Sequence, residues 1–274
     1  MMRRTFLLCI VAVMLVLALS TLALGAPSAG VKEVVKHGQI TSLEKLFHRA
    51  QKGVTDKEYV NPKATLKSKN TGKVIDVHTL TTTQLLEEKI FENGQKEKIY
   101  ATTSFAVLNR GKFFSQPAHT AFADYNNLLC FSGDLSSLFA KSQGDDDWDS
   151  TGGIKGYSTI YYSEYEDHND VKYLGLIGAE GGWINYDYPQ VWITDRLVRL
   201  GQNGATMDGE TFSAAEEHYP SSDTFDYDAP SSWDTEENAV TTMAYSSLGC
   251  NQKVDLEATD GSTWSFAFCN CIIH

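Results

Sequence analysis

Hydrophobic and polar residues are arranged in three different ways along the chain. Apolar residues run almost without interruption from Phe6 to Leu24, recur at helical spacing in a short stretch after Thr41, and alternate with polar residues through much of the region beyond residue 66. A period of two is typical of half-buried β-strands, and an i, i+3, i+4 spacing is typical of an amphipathic helix. The pattern predicts an apolar N-terminal segment, one short helix and a large β-rich region.

The N-terminal segment has the three parts of a secretory signal. Arg3 and Arg4 precede the apolar run, and small residues follow its core between positions 23 and 26. We predict a signal peptide over residues 1–26. An uncleaved anchor is the alternative, because the apolar run approaches the ~20 residues that span a bilayer. Both interpretations place the bulk of the chain outside the cytoplasm, so the protein is predicted to be secreted or located on the extracellular surface.

Residues 27–65 form a polar N-terminal segment with one helix signal. Thr41 precedes Glu44 by three positions, which is the spacing of a capping box, and Gly53 ends the run. We predict a short helix over residues 42–52. Its apolar face consists of Leu43, Leu46, Phe47 and Ala50. A stripe this narrow favours docking on the main domain over a partner surface.

Residues 66–274 are predicted to form one all-β domain. Asn93-Gly94 separates two strand-like arms and is a strong hairpin signal, and a second hairpin is predicted between residues 154–165 and 171–178. Antiparallel pairing is expected, because no helix-length crossover separates the strands. We therefore predict an antiparallel β-sandwich, immunoglobulin-like or jelly-roll-like, with about eight to ten strands.

The last hairpin permits a prediction of strand register. Apolar residues alternate on both arms, from Val254 to Ala258 and from Trp264 to Phe268. A three-residue turn over Asp260–Ser262 pairs Ala258 with Trp264 and buries both apolar sets on one face. The two cysteines of the second arm then point to the opposite face.

The charge of the chain limits its partners. The formal net charge is -12, and loss of Arg3 and Arg4 with the signal leaves 21 basic against 35 acidic residues, or -14. Such a surface repels nucleic acid and anionic membranes. We expect no nucleic-acid partner, and membrane contact only through the N-terminal segment if it stays uncleaved.

Four cysteines remain after the signal, namely Cys130, Cys250, Cys269 and Cys271. An even number in an exported chain favours two disulfides. Cys269 and Cys271 share one face of a strand at about 7 Å, which is too far for an easy bond. We therefore predict that each of these two pairs with Cys130 or Cys250, and both pairings remain open.

One acidic loop is a candidate metal site. Asp145, Asp147 and Asp149 alternate between glycines, and carboxylate oxygens are the ligands that calcium prefers. The loop lacks the glycine and glutamate of an EF-hand at the sixth and twelfth positions, and a solvated acidic loop is the commoner interpretation. Calcium at these three aspartates is the one cofactor candidate.

The functional signals favour binding over catalysis. Tyrosine and tryptophan are dense between residues 157 and 192, and aromatic faces stack on ligands, although core packing is the commoner role. Gly-x-Ser-x-Gly, His-Glu-x-x-His and phosphate-binding glycine motifs do not occur. We expect a non-catalytic binding module whose extracellular ligand is unidentified, with a glycan or the cell wall as candidates. The alternatives are a carbohydrate-active hydrolase with a carboxylate pair and an envelope structural protein.

Three segments share an order of features with a known group of proteins. Gly156–Tyr162 contains a Tyr-Tyr strand, Ala179–Ile184 a Gly-Gly-Trp turn, and Val191–Val198 a strand that leads to a basic residue and a glycine. In this order the chain resembles a loose group of uncharacterised exported all-β proteins of Gram-positive bacteria. The resemblance covers about residues 150–205 and implies a small extracellular sandwich, without an assigned activity.

Overall fold

The computed structural model of the protein describes residues 30–58, 60, 62–108, 153–167, 169–243 and 245–273. The predicted signal over residues 1–26, Cys130 and the three candidate calcium ligands lie outside these residues. The described residues form one helix, α1 (Leu43–Gln51), and thirteen strands. The strands are β1 (Val31–Lys36), β2 (Lys63–Ser68), β3 (Val74–Val77), β4 (Thr79–Phe91), β5 (Lys96–Leu108), β6 (Ile154–Glu166), β7 (Lys172–Asn185), β8 (Val191–Ala205), β9 (Thr211–His218), β10 (Thr224–Asp228), β11 (Val240–Thr241), β12 (Ser247–Ala258) and β13 (Thr263–Ile273).

The strands form two antiparallel sheets. The first sheet has the order β1-β4-β5-β6-β7-β10, with β11 also paired to β7, and the second has the order β3-β2-β13-β12-β8-β9. Residues from both sheets share one hydrophobic core, where the Phe266 ring lies so close to Gly156 that a Cβ there would meet it at 2.9 Å. The expectation of an all-β, antiparallel protein is confirmed at this level.

Burial along the strands shows which sheet faces are covered. In β9 every second residue is exposed, as expected for a strand with one solvated face. In β5, by contrast, seven consecutive residues from Tyr100 to Ala106 are buried. The second face of β5 is covered by α1, because Leu46 and Ala50 pack against Phe105. The first sheet is therefore covered on both faces at this point, whereas no element among the described residues covers the outer face of the second sheet.

The helix forms where it was expected, with a different cap. The side chain of Ser42, not that of Thr41, accepts a hydrogen bond from the Lys45 backbone N–H, and Gly53 takes a positive φ of 64° just after the helix ends. The segments before and after the helix contain strands that belong to the two sheets. β1 pairs with β4, and β2 crosses the expected boundary at residue 66.

The last hairpin has the expected faces and a shifted register. β12 and β13 pair Leu256 with Trp264 and Val254 with Phe266, which is two residues away from the expected register. The turn has three residues but spans positions 259–261, because Gly261 supplies the left-handed conformation (φ 80°) that such a turn needs at its last position. Since the shift is an even number, both apolar sets still face the core.

Candidate functional site

One cavity lies at the edge of β4 and has a volume of about 420 Å³. It opens between the chain that leaves β1, near His37 and Gly38, and the segment after α1. The lining is polar, and it includes Arg49, Asp56 and Gln84. We refer to this cavity as the edge crevice.

The polar groups of the edge crevice are engaged within the protein. The Arg49 guanidinium donates to Asp56 at 2.5 Å and to the Thr82 hydroxyl at 3.0 Å. The Gln84 amide makes two hydrogen bonds with the backbone of Ile40, at 2.8 and 3.1 Å. The remaining oxygen of Asp56 accepts from the Leu85 backbone N–H. The hydrogen bonds in the edge crevice therefore hold the N-terminal segment on the sheet edge, and few of its polar groups are left to bind a ligand.

The second cavity is a shallow trench of about 350 Å³ on the outer face of the second sheet. Its floor is a row of residues that are directly opposite one another on four strands, namely Ala215, Gly201, Gly249 and Cys271. Three strand spacings give the row a length of about 14 Å. Two adjacent glycines in the middle of a sheet face remove the side chains that would otherwise fill this space.

The two positions contain glycine for different structural reasons. At Gly249 a Cβ would lie 2.3 Å from the backbone oxygen of Asn270, so the close strand contact requires glycine there. At Gly201 the nearest atom to a Cβ is the Ala214 oxygen at 3.8 Å, which is an ordinary contact distance. The fold would accept a side chain at Gly201, and its absence serves to keep the trench open.

The walls of the trench can form hydrogen bonds. One side carries the exposed side chains of Arg199 and Asn251, and the other carries Asn203 and Ser213. The lining residues that the structure describes include neither an aromatic residue nor a carboxylate, and Arg199 supplies their one formal charge. Such a wall suits polar, extended groups with a neutral or negative charge, and it offers no stacking surface for sugar rings.

The disulfide prediction was wrong in its pairing. Cys269 and Cys271 are bonded to each other, with Cα atoms 5.5 Å apart, at the end of the trench. The strand is locally shorter than the 7 Å that ideal geometry gives for two residues, and the bond falls within the normal range of Cα distances.

The remaining described cysteine, Cys250, is a free thiol on the core side of β12. Burial raises its pKa to about 12, although a hydrogen bond with Ser158 acts in the opposite direction. A neutral thiol of this kind behaves as a small apolar side chain and is inert.

The structure separates the aromatic residues that the sequence groups together. Tyr162 and Trp183 lie in the core. Tyr161 lies on the outer face of the first sheet and donates to Glu180 at 2.7 Å. Tyr188 and Trp192 are exposed, at 69% and 39%. The aromatic residues therefore do not form one stacking platform, and most of them contribute to packing.

A buried carboxylate, Glu164, and a half-buried one, Asp234, lie outside both cavities. Glu164 is 4% exposed and forms an ion pair with Lys57 at 2.7 Å, and burial lowers the pKa of that lysine. Burial also raises the pKa of Asp234, which accepts hydrogen bonds from Ser163 and Tyr165. Buried carboxyl groups, and those with a raised pKa such as Asp234, are candidates for catalysis when they face a cleft. These two do not line the trench or the edge crevice, and each has internal partners that explain its position.

The trench was not found by sequence reasoning. Gly201 and Gly249 are 48 positions apart, and the two isolated glycines gave no visible signal before the strands were aligned. Within the described residues, no group of three or more His, Cys, Asp or Glu side chains is arranged to hold a metal ion. The calcium candidate at Asp145, Asp147 and Asp149 stays a prediction, since it lies outside those residues.

Fold and site define a two-sheet, antiparallel β protein with an open groove on one sheet and a disulfide at its end. Comparisons with protein-family models, with curated proteins and with solved structures give no match for this chain. In the part of the chain that the structure describes, no helix has the length and apolar character needed to cross a membrane.

Proposed function

We propose that the protein is a non-catalytic binding protein that works outside the cytoplasm and holds an extended peptide in the trench. The observation that carries the proposal concerns Gly201. The fold has room for a side chain at this position, but the residue is glycine, so the trench floor has no side chain there. The proposed export rests on the basic start, apolar core and small-residue end of residues 1–26. The shared core between the two sheets supports a sandwich, of the general type that the resemblance to exported Gram-positive proteins implies.

The dimensions of the trench favour a peptide ligand. A row of about 14 Å accommodates roughly four residues of an extended chain at about 3.3 Å per residue. The amides of Asn203 and Asn251 can each donate and accept, which matches the alternating N–H and C=O groups of a peptide backbone. Arg199 provides a cation for an acidic side chain or a terminal carboxylate. A glycan ligand has less support, because no aromatic residue of the described lining can stack on it.

A substitution that fills the trench tests this function. In Gly201→Leu the new side chain projects from the open floor, so we expect loss of peptide binding with an unchanged free energy of unfolding. The matched control is Thr211→Leu on β9, an exposed position on the same sheet. Binding of the wild type and both variants would be measured on an array of random peptides and on a glycan array, with and without calcium.

Each outcome of this experiment decides between candidates. Peptide binding that is lost in Gly201→Leu and kept in Thr211→Leu supports the proposal, and Arg199→Gln should then weaken the acidic peptides most. Binding that survives Gly201→Leu would contradict the trench as the site. Signal on the glycan array alone would favour a carbohydrate-binding protein, and calcium dependence would direct attention to the three aspartates.

A carbohydrate-active hydrolase is a weaker candidate. Such enzymes need two carboxylates that face each other across a cleft. The edge crevice contains one described carboxylate, Asp56, whose oxygens are engaged by Arg49 and Leu85, and the described lining of the trench contains none.

A further inference from the structure

The Cys269–Cys271 disulfide joins two residues that the fold already holds together. β13 is paired with β12 on one side and with β2 on the other, and Cys269 lies opposite Asn251 and Lys63. A disulfide stabilises a fold mainly by closing a long loop in the unfolded chain, and the stabilisation falls as the loop becomes shorter. With one residue between its cysteines, this bond closes nearly the shortest loop that a chain offers. Its value to the stability of the fold is therefore small.

The two sulfurs differ in access. Cys269 is partly exposed at the end of the trench, whereas Cys271 is buried, with 5% exposure. The Sγ atom of Cys271 lies 3.7 Å from the backbone oxygen of Cys250. If the disulfide opens, a Cys271 thiol can donate a hydrogen bond to this oxygen. A nucleophile from solution meets Cys269 first, and the Cys271 sulfur that leaves has a hydrogen-bond acceptor in place once it has taken up a proton.

The surroundings of Cys269 are cationic although the chain as a whole is acidic. Lys63 is directly opposite Cys269 on β2, and Lys253 is its diagonal neighbour on β12. Arg199 continues the same row across β12, where its contact with Glu217 at 3.9 Å is long and exposed. Cations near a cysteine attract an incoming thiolate and stabilise the thiolate form of the cysteine itself. This patch therefore favours attack by an anionic sulfur.

We propose that Cys269–Cys271 is a thiol–disulfide exchange centre that reacts with a cysteine-containing peptide in the trench. The thiolate of the peptide attacks Sγ of Cys269, the Cys269–Cys271 bond breaks, and a peptide–Cys269 disulfide forms. Cys271 leaves as a thiolate and takes a proton from water. If the peptide carries a second thiolate, that sulfur attacks the peptide's bonded cysteine, so the peptide gains a disulfide and Cys269 is released. Two electrons pass from the peptide dithiol to the cysteine pair.

Small thiols test the reactive centre by itself. The purified, folded protein is incubated with reduced glutathione and, separately, with dithiothreitol, and is then analysed by intact mass and peptide mapping after quenching in acid. We expect a glutathione adduct at Cys269, and complete reduction by dithiothreitol with little change in the circular dichroism spectrum or in Tm. Reduction that occurs only in denaturant, an adduct at Cys271, or unfolding on reduction would overturn the proposal.

Single-cysteine and charge variants sharpen the test. In Cys271→Ser the remaining Cys269 thiol should react with oxidised glutathione, whereas in Cys269→Ser the buried Cys271 should stay unmodified. Lys63→Gln should slow exchange about threefold, as expected for loss of a neighbouring cation. Its matched control is Lys67→Gln, four residues further along β2, which should react at the wild-type rate. Equal reactivity of the two single cysteines would contradict the assigned roles.

The peptide step rests on the proposed function, and its failure can be recognised separately. A cysteine-containing peptide that binds the trench should exchange faster than glutathione at equal thiolate concentration, and with Gly201→Leu the peptide should react no faster than glutathione. If glutathione reacts as expected and no peptide has an advantage, the trench is not a peptide site although the disulfide is reactive.

Discussion

Asn270 lies between the two cysteines of β13, with its own side chain fully buried in the core. Its amide oxygen accepts a hydrogen bond from the Ser104 hydroxyl at 2.8 Å, and its amide nitrogen donates to the backbone oxygens of Thr102 and Ser158 at 3.0 and 2.8 Å. A buried amide is tolerated when its donors and acceptor are satisfied. One residue of the second sheet is thereby bonded to two strands of the first, which fixes the position of the sheets relative to each other.

Replacement of this amide should destabilise the protein more than its size suggests. Asn270→Ala removes three hydrogen bonds and leaves a cavity, so we expect a loss of about 2–4 kcal/mol in the free energy of unfolding. Urea unfolding monitored by tryptophan fluorescence would measure it. Asn251→Ala is the control, since Asn251 is exposed on the neighbouring strand, and its effect should stay within about 0.5 kcal/mol. Equal effects of the two substitutions would mean that the buried amide does not join the sheets.

At the scale of elements, α1 and the segment after it, through Asp56, pack together on the first sheet; we refer to them as the latch. Phe47 meets Phe105 edge to face, with ring centroids 5.3 Å apart, and Leu46 is buried beside it. The segment after the helix then follows the free part of β4, where Asp56 N–H donates to the Thr83 oxygen and Thr83 N–H donates to the Thr55 hydroxyl. The apolar stripe of the helix is thus used for docking within the chain.

Truncation of the helix face should weaken this latch. Leu46→Ala is expected to lower the free energy of unfolding by about 2–4 kcal/mol, because a side chain with 3% exposure is lost from a packed site. Lys45→Ala on the same helix is the control, since that side chain is exposed, and alanine favours a helix. Chemical denaturation gives both values. If Leu46→Ala had no greater effect than Lys45→Ala, the helix would not be docked as described.

Local signals predicted these elements well, and relations between distant elements could not be predicted. The capping-box spacing, the Asn93-Gly94 turn and the alternation of the last two strands are properties of short windows, and each led to an element that the structure contains. The trench, by contrast, depends on which residues of β8, β9, β12 and β13 lie opposite one another. The cysteine pairing failed for a local reason, because ideal strand geometry overestimates the distance between Cys269 and Cys271.

At the scale of the whole molecule, buried acidic groups of high pKa determine the response to alkali. Burial raises the pKa values of Tyr100, Tyr162 and Tyr165 well above the usual tyrosine value, and it raises that of Cys250 to about 12. In the unfolded chain these groups lose their protons near pH 8.5 for cysteine and near pH 10 for tyrosine. Between these values and the folded-state pKa values, the unfolded state binds fewer protons.

Stability should therefore fall as the pH rises from about 8.5 to about 12, because the folded state holds protons that the unfolded state has released. Each such group contributes about 1.4 kcal/mol per pH unit within its own window. We expect a cooperative loss of the circular dichroism signal in alkali, and the part of the tyrosinate absorbance that comes from the buried rings should rise at the same midpoint. If the absorbance of all the tyrosines, including the buried ones, rose while the protein stayed folded, this result would contradict the burial of these rings.

The unequal covering of the two sheets has a consequence for how such a protein can diversify. Side chains that point out of β8, β9 and β12 around the trench belong to neither hydrophobic cluster of the described residues, so they can change identity while the framework beneath them keeps its stability. Selection could then alter what is recognised without having to restore folding at each step. New binding specificities can therefore arise on the outer face of the second sheet. The first sheet, to which α1 is docked, supplies the stability that tolerates these changes.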